Sequence, residues 1–196
     1  MDNLKIKIIL GSTRQGRFGD KAAQWILEAA KKKEGVDVEL LDLRDYAMPF
    51  FDQAITPSSI KEPYANEAVA RWTKKIAEGD AFIVATPEYN HGTSAVLKNA
   101  FDWVSKEWHD KAVGFVAWGS VGGVRAVEQL RLVAVEAQMA PIRNAVHITA
   151  PWMLTNSDGT LKAGALDSYQ GAADGMLTQL IWWGKVLKSA RNNNNQ

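Results

Sequence analysis

Asp80-Ala81-Phe82-Ile83-Val84-Ala85-Thr86-Pro87-Glu88-Tyr89-Asn90-His91-Gly92 is a short apolar run that stops at a proline and a polar turn. A run of this length, bounded by turn residues, reads as a strand covered on both faces. Leu4–Leu10 has the same character and opens into Gly11-Ser12-Thr13-Arg14-Gln15-Gly16-Arg17. In an open α/β sheet, the loops leaving the carboxyl ends of strands where strand order reverses form the ligand crevice. These two loops therefore decide the fold and locate a candidate site together.

On either side of these loops, apolar runs at 4–10, 36–43, 80–85, 112–118 and 145–148 alternate with helix-period stretches at 18–34, 64–78, 95–106, 124–138 and 167–190. Strands separated by helices of this length pair in parallel through right-handed crossovers. The expected fold class is α/β: a doubly wound five-stranded parallel sheet, order 2-1-3-4-5, with helices on both faces. Two irregular stretches, 47–63 with three prolines and 149–166 with the turn Ser157-Asp158-Gly159, exceed ordinary loop lengths and are expected to wall a site or an interface. We expect one domain over residues 1–190, with the low-complexity end at 191–196 unstructured.

Composition narrows the chemistry. The 196 residues are 46% hydrophobic and 23% charged, with a formal charge of +1. That balance gives no reason to expect nucleic acid or an anionic membrane as partner. The absence of cysteine excludes disulfides, thiolate metal sites and thiol nucleophiles, so any redox chemistry belongs to a cofactor. Met1-Asp2-Asn3-Leu4 enters a strand with no leader pattern, and no apolar run approaches ~18 residues. A cytoplasmic protein is expected.

In the first loop, Gly11 and Gly16 permit a tight turn, Ser12 and Thr13 add hydroxyl donors, and a helix N-terminus follows. Arg14 and Arg17 could add charge-assisted bonds to a phosphate dianion. The Gly11-x4-Gly16 spacing lacks the Lys-Ser/Thr of a triphosphate loop, having Arg17 and Phe18 there. No G-x-G-x-x-G follows the first strand, which disfavours a dinucleotide fold and leaves a mononucleotide.

In the second loop Pro87 fixes the backbone and Tyr89-Asn90-His91-Gly92 makes a turn whose amides can face a flat heterocycle, with Tyr89 as an apolar face. A flavin edge needs such donors. The third loop, Gly119-Ser120-Val121-Gly122-Gly123, allows close approach of backbone to a ligand. His91 is the one histidine placed near this site; His147 reads as a satisfied core residue and His109 as part of the turn before the fourth strand. No His, Asp and Glu set has metal spacing. Trp25, Trp72 and Trp103 fall at core-facing helix positions, whereas Trp182 and Trp183 cannot both face one side of a helix, placing one at an interface.

The first loop, the run 80–92 and Leu97-Lys98-Asn99-Ala100-Phe101-Asp102-Trp103 together resemble the NAD(P)H-dependent FMN reductase family, whose flavodoxin-like members include quinone, azo-dye and chromate reductases. The resemblance runs from Lys5 to about Gln138; many relatives carry proline where this chain has Ser94. It implies FMN phosphate held by Ser12 and Arg14 with the helix start at Arg17, Phe18 and Gly19. It implies the isoalloxazine held by Pro87, Glu88, Tyr89 and Asn90, with Gly119, Ser120, Gly122 and Gly123 on its pyrimidine side. It also implies a homodimer or a dimer of dimers.

The activity implied is hydride transfer from NADPH or NADH to FMN, then from FMN to a quinone, azo compound, chromate or free flavin, in a ping-pong cycle with no catalytic acid or base among the side chains. Two other classes stay open: a flavodoxin-like carrier that binds FMN without oxidising a nicotinamide, and a flavodoxin-fold protein that has lost its cofactor. Flavodoxin-like carriers are usually strongly acidic, unlike this chain.

Overall fold

Strands β1 (Leu4–Leu10) and β3 (Ala81–Pro87) pair in parallel at the middle of the sheet, with Ile6 opposite Ala81 and Leu10 opposite Ala85. A computed structural model describes residues 2–60 and 64–194. Strands β2 (Val36–Asp42), β4 (Ala112–Gly119) and β5 (Ala140–Thr149) complete five parallel strands in the order β2-β1-β3-β4-β5. The expected doubly wound, flavodoxin-like sheet is thus observed.

Side chains alternate across the central strands, and each set meets a different helical layer. Ile6, Ile8, Leu10, Ile83 and Ala85 pack with α1 (Gly19–Lys31) and α5 (Gln170–Asn194). Ile9, Phe82, Val84 and Phe115 pack with α2 (Glu67–Glu78), α3 (Ala95–Asp102) and α4 (Val124–Glu136). Burial of both faces is why β1 and β3 are apolar almost throughout. The second layer holds an aromatic cluster in which Trp108 stacks on Phe101 and meets Trp72 and Phe82 edge-on. Trp72 and Trp103 are core residues as expected, but Trp25 is only half-buried, lining a shallow cleft with Lys21 and Leu161.

Helix ends move from their expected positions for local reasons. Asn66 caps α2 by accepting from the amides of Ala68 and Val69 at 3.0 and 3.2 Å, so the helix starts at Glu67. Gly35, at φ +70°, turns the chain between α1 and β2. Trp103 caps α3 after Asp102, and residues 106–108 form a separate 3-10 turn. Helix α5 continues through Asn194, so Asn192 and Asn193 are helical where an unstructured end was expected; residues 195–196 lie outside the described residues. So do Lys61, Glu62 and Pro63 of the long 47–63 stretch.

The largest departure is β5, which begins at Ala140 rather than Ala145. Its register against β4 shifts between Val113 and Phe115, where Pro141 and Ala145 are their partners. Ile142, Arg143 and Asn144 form the bulge. Arg131 donates to the carbonyls of Ile142 and Arg143, and Gln179 Oε1 accepts the Asn144 amide at 2.9 Å, so side chains replace the lost ladder bonds.

Candidate cofactor site at the carboxyl edge of the sheet

The β1–α1 loop leaves the sheet at Gly11, whose amide donates to the Ala85 carbonyl at 2.8 Å. A Cβ at Gly11 would lie 2.7 Å from Leu97 Cδ2 and 3.3 Å from the Ala85 carbonyl oxygen, so a larger residue here would have to push the Leu97 side chain aside. Ser94, the cap of α3, donates through Oγ to the Gly11 carbonyl and accepts the Leu97 amide at 3.3 Å. This serine fastens two loops together. Ser12 is buried with its Oγ 2.9 Å from the Tyr89 hydroxyl, while Thr13, Arg14, Gln15 and Gly16 are exposed.

The two arginines of the loop part company. Arg14 lies with its guanidinium carbon 5.7 Å from the Tyr89 ring centroid and, among the described residues, forms no ion pair. Arg17 is buried, and its whole donor fork is taken: by Asp20 at 2.8 Å from Nε, by both oxygens of Asp42, and by the Ser12 carbonyl. Burial alone would lower the Arg17 pKa, but the bonds to Asp42 and Asp20 outweigh it and raise it above the ordinary arginine value. Burial would likewise raise the Asp42 carboxyl, yet the Arg17 fork and the Arg44 amide hold it below the usual carboxylate range. Arg17 is thus a clamp between β1 and β2 and offers no free donor to a phosphate. Phe18 packs on Trp118, and a Cβ at Gly19 would lie 2.8 Å from Leu10 Cδ1, so both serve the seating of α1 on the sheet.

The β3–α3 loop closes on itself. Tyr89 and Gly92 exchange two backbone hydrogen bonds of 2.8 and 3.0 Å, and Asn90 and His91 between them sit at φ +49° and +70°. Positive φ at both central positions defines a type I′ turn, and Asn and His are among the side chains that tolerate it. Gln129 on α4 donates to the His91 carbonyl at 2.9 Å. Glu88 departs from its expected role beside a ring: its carboxylate is 5% exposed and taken by Arg125, with Nε at 2.6 Å and the amide at 3.1 Å. Burial pushes the Glu88 pKa up, and the Arg125 bonds more than reverse it. Glu88 is a strut between the second loop and the start of α4. Pro87 is buried in register with Trp118.

In the β4–α4 loop, Gly122 and Gly123 sit at φ +78° and +70°. A Cβ at either would come within 3.0 Å of His147 or Ala117 Cβ, at 2.9 and 2.7 Å, so these glycines are needed for the turn itself. His147 Nδ1 pairs with the Gly122 carbonyl at 3.0 Å, as a satisfied histidine should. Gly119 lies against Glu88, and its carbonyl accepts the Gly122 and Ala150 amides at 3.2 and 2.9 Å. Ser120 is exposed on the same edge.

Three loops therefore meet: the first touches the second at Ser12, Arg14 and Tyr89, and the second touches the third at Glu88 and Gly119. Residues that the sequence reading passed over hold them. Arg44, just beyond β2, donates from Nε to the Thr13 carbonyl at 3.4 Å and from its terminal nitrogen to that of Arg14. Asp42, Arg125 and Gln129 were also missed. The available signal was the strand order: β2 neighbours β1, which puts Asp42 opposite Leu10 and Arg44 beside the loop.

The donor set fits a flat mononucleotide. Asp42, Asp20 and Glu88 are each neutralised by an arginine, leaving Arg14 as the uncommitted charge of the first loop beside the half-buried Tyr89 ring.

Comparison with known proteins agrees. The family model described as NADPH-dependent FMN reductase matches residues 4–152. An NAD(P)H-dependent FMN reductase of Schizosaccharomyces pombe is 37% identical over 130 residues, 66% of this chain and 65% of that protein, so the chain spans about two thirds of that relative's length. An NAD(P)H:quinone oxidoreductase of Solanum tuberosum is 33% identical over 137 residues, 67% of this chain and 68% of that protein. Among solved structures, the flavoenzyme NAD(P)H:(acceptor) oxidoreductase FerB from Paracoccus denitrificans superposes with a TM-score of 0.67 at 19% identity, covering 90% of this chain and 97% of its own, a likeness of fold. On the family match and the sequence relatives, this chain belongs to the NADPH-dependent FMN reductase family.

Proposed function

We propose that the chain is an FMN-dependent NAD(P)H oxidoreductase that works in two half-reactions and delivers electrons to a small acceptor such as a quinone, azo compound, chromate or free flavin. The observation that carries this reading is the junction of Ser12 and Arg14 with Tyr89, which joins an anion-competent loop to an aromatic one at the carboxyl edge. FMN, when bound, supplies the two-electron chemistry by taking hydride from the nicotinamide and releasing electrons to the acceptor. Ser12, Arg14 and the amides of the first loop would hold its phosphate. Tyr89, Asn90 and the backbone of residues 119–123 would flank its ring. No side chain needs to act as acid or base; the chain's own contribution is to bind, orient and exclude water from one face. Family membership and the named relatives support nicotinamide as the donor.

A dimer or a dimer of dimers belongs to the same reading, supported by the exposed Leu132 and Val135 on α4 and Trp182 on α5. The deciding experiment is an absorbance spectrum after loading with FMN and removing excess, followed anaerobically by NADPH or NADH. Retained flavin bands that bleach are expected. Bands that persist would make the protein a carrier, and no retention would remove FMN from the account.

A further inference from the structure

Four consecutive carbonyls of the first loop are all bound by side chains. Ser94 Oγ donates to Gly11 O, Arg17 to Ser12 O, and Arg44 to both Thr13 O and Arg14 O. In a planar trans peptide, a carbonyl and the amide that follows it point in opposite directions. The amides of Ser12, Thr13, Arg14 and Gln15 are thereby turned away from the side chains that grip the carbonyls. Among the described residues none of these four amides has a hydrogen-bond acceptor. Successive outward amides are the elements of an anion-binding concavity. Ordinarily such a loop would be free to flip individual peptide planes; here each flip would break a bond to Ser94 or a guanidinium.

Resting on the FMN reading above, we propose that Arg44 is a positioning residue that sets the selectivity of this loop for the phosphorylated flavin over the unphosphorylated one. Arg17 does the same for one carbonyl, but it is also buried between β1 and β2 and cannot be removed without disturbing the fold. Arg44 is exposed and reaches only backbone in the loop, so its removal tests peptide orientation with little else changed. Its planar fork bridges two neighbouring carbonyls, a geometry that an ammonium reproduces poorly.

The test is Arg44→Ala and Arg44→Lys, titrated as apoproteins with FMN and with riboflavin by quenching of flavin fluorescence. Arg44→Ala should weaken FMN by about tenfold, the scale of a charge-assisted hydrogen bond, and change riboflavin by less than about twofold. Arg44→Lys should recover only part of the FMN loss. Equal weakening of both flavins would make Arg44 a general prop, and full rescue by lysine would assign the effect to charge alone; either overturns the proposal, as does unchanged FMN affinity. The rise in thermal midpoint of the apoprotein with inorganic phosphate is measured alongside, and should be smaller for Arg44→Ala than for wild type. If wild type binds neither flavin, the FMN reading fails. The phosphate shift then still decides whether Arg44 orders an anion site, and equal shifts in the two proteins would reject that too.

Discussion

Charge is used differently at the two ends of the sheet. Toward the amino end, charged side chains mostly meet one another: Lys7 pairs with Glu39 and with Glu78 at 3.3 Å, Lys75 bridges the same two carboxylates, and Asp80 receives Lys188 and Arg191 from α5 at 2.8 and 3.2 Å. These pairs tie the C-terminal ends of α2 and α5 to strand starts. At the carboxyl end, Arg17 also pairs with Asp20 and Asp42, but Arg17 and Arg44 in addition donate to main-chain carbonyls of one loop, and among the described residues Arg14 forms no ion pair. Both ends cancel charge, but at the carboxyl end guanidinium groups also fix consecutive carbonyls of one loop beside an arginine that has no ion pair among the described residues. The amino end should therefore govern stability alone, whereas the carboxyl end should separate into residues that hold the loops and residues that hold the ligand.

The largest expected effect sharpens that division. Arg17→Ala leaves the Asp42 carboxylate, 24% exposed, without its partner and frees the Ser12 carbonyl. Removal of one member of a buried pair costs about 3 kcal/mol, at the lower end of the range because Asp42 keeps some solvent. Urea unfolding of the apoprotein reads it. Lys75→Ala, whose side chain is a third exposed at the other end, should cost under about 1 kcal/mol. A reversal of that order would mean that the clamp between β1 and β2 is not what holds the first loop.

Arg14→Ala should do the opposite of Arg17→Ala. Apoprotein stability should stay within about 0.5 kcal/mol, as for an exposed residue outside any ion pair. FMN binding should weaken by about 1.5–3 kcal/mol if Arg14 donates to the phosphate. Isothermal titration of FMN decides it, and an unchanged affinity would take Arg14 out of the site.

At the amino end, Lys111 gives a pH test. Its ammonium is buried, donates to the Ile76 and Ala77 carbonyls at 2.9 and 3.2 Å, and lies near Phe82, Asp80, Glu107, Lys7 and Arg191. Burial pulls its pKa down to about 8, with Arg191 adding to the effect. Because the folded value lies below the unfolded one, the unfolded chain holds more protons between about pH 8 and 10.5, and this group's contribution to stability rises with pH across that window. The slope cannot exceed about 1.4 kcal/mol per pH unit for one proton. Denaturant titrations at pH 8 and 10 should show wild type gaining on Lys111→Met; parallel curves would mean that Lys111 keeps its proton throughout.

The same contrast explains what could be read in advance. β1 and β3 were legible because Ile6, Ile8, Ile83 and Val84 meet helices on both faces, and only Lys5 and Lys7 in β1 and Thr86 in β3 break the apolar runs. β5 was half-legible: it lies at the sheet edge, carries Pro141, and its polar Arg143 and Asn144 sit in a bulge whose bonds come from the side chains of Arg131 on α4 and Gln179 on α5. The three loops were legible from their positions after strands, but the division of labour inside them was not. Arg14 and Arg17 look alike in sequence; besides the nearby Asp20, it is the register setting Asp42 opposite Leu10 that occupies the Arg17 fork, while among the described residues Arg14 forms no ion pair. The partner of the Glu88 carboxylate was hidden for the same reason, since Arg125 lies far along the chain.

The smallest expected effect concerns the bond from Gln129 to the His91 carbonyl, which joins α4 to the second loop at 2.9 Å. If the carboxyl end were held together in the manner of the amino end, by side chains bridging elements, losing this bond would loosen the turn. The turn, however, already closes through two backbone bonds between Tyr89 and Gly92, and Glu88 is fixed independently by Arg125. An exposed neutral hydrogen bond contributes at most about 0.5 kcal/mol net under these conditions. Gln129→Ala should therefore unfold in urea within that margin of wild type and keep its FMN affinity within about twofold, the equivalent of about 0.4 kcal/mol. A loss above about 1.5 kcal/mol in either measurement would show that positive φ at Asn90 and His91 is imposed by α4 rather than chosen by the turn, and that the second loop, like the first, depends on a side chain reaching in from elsewhere.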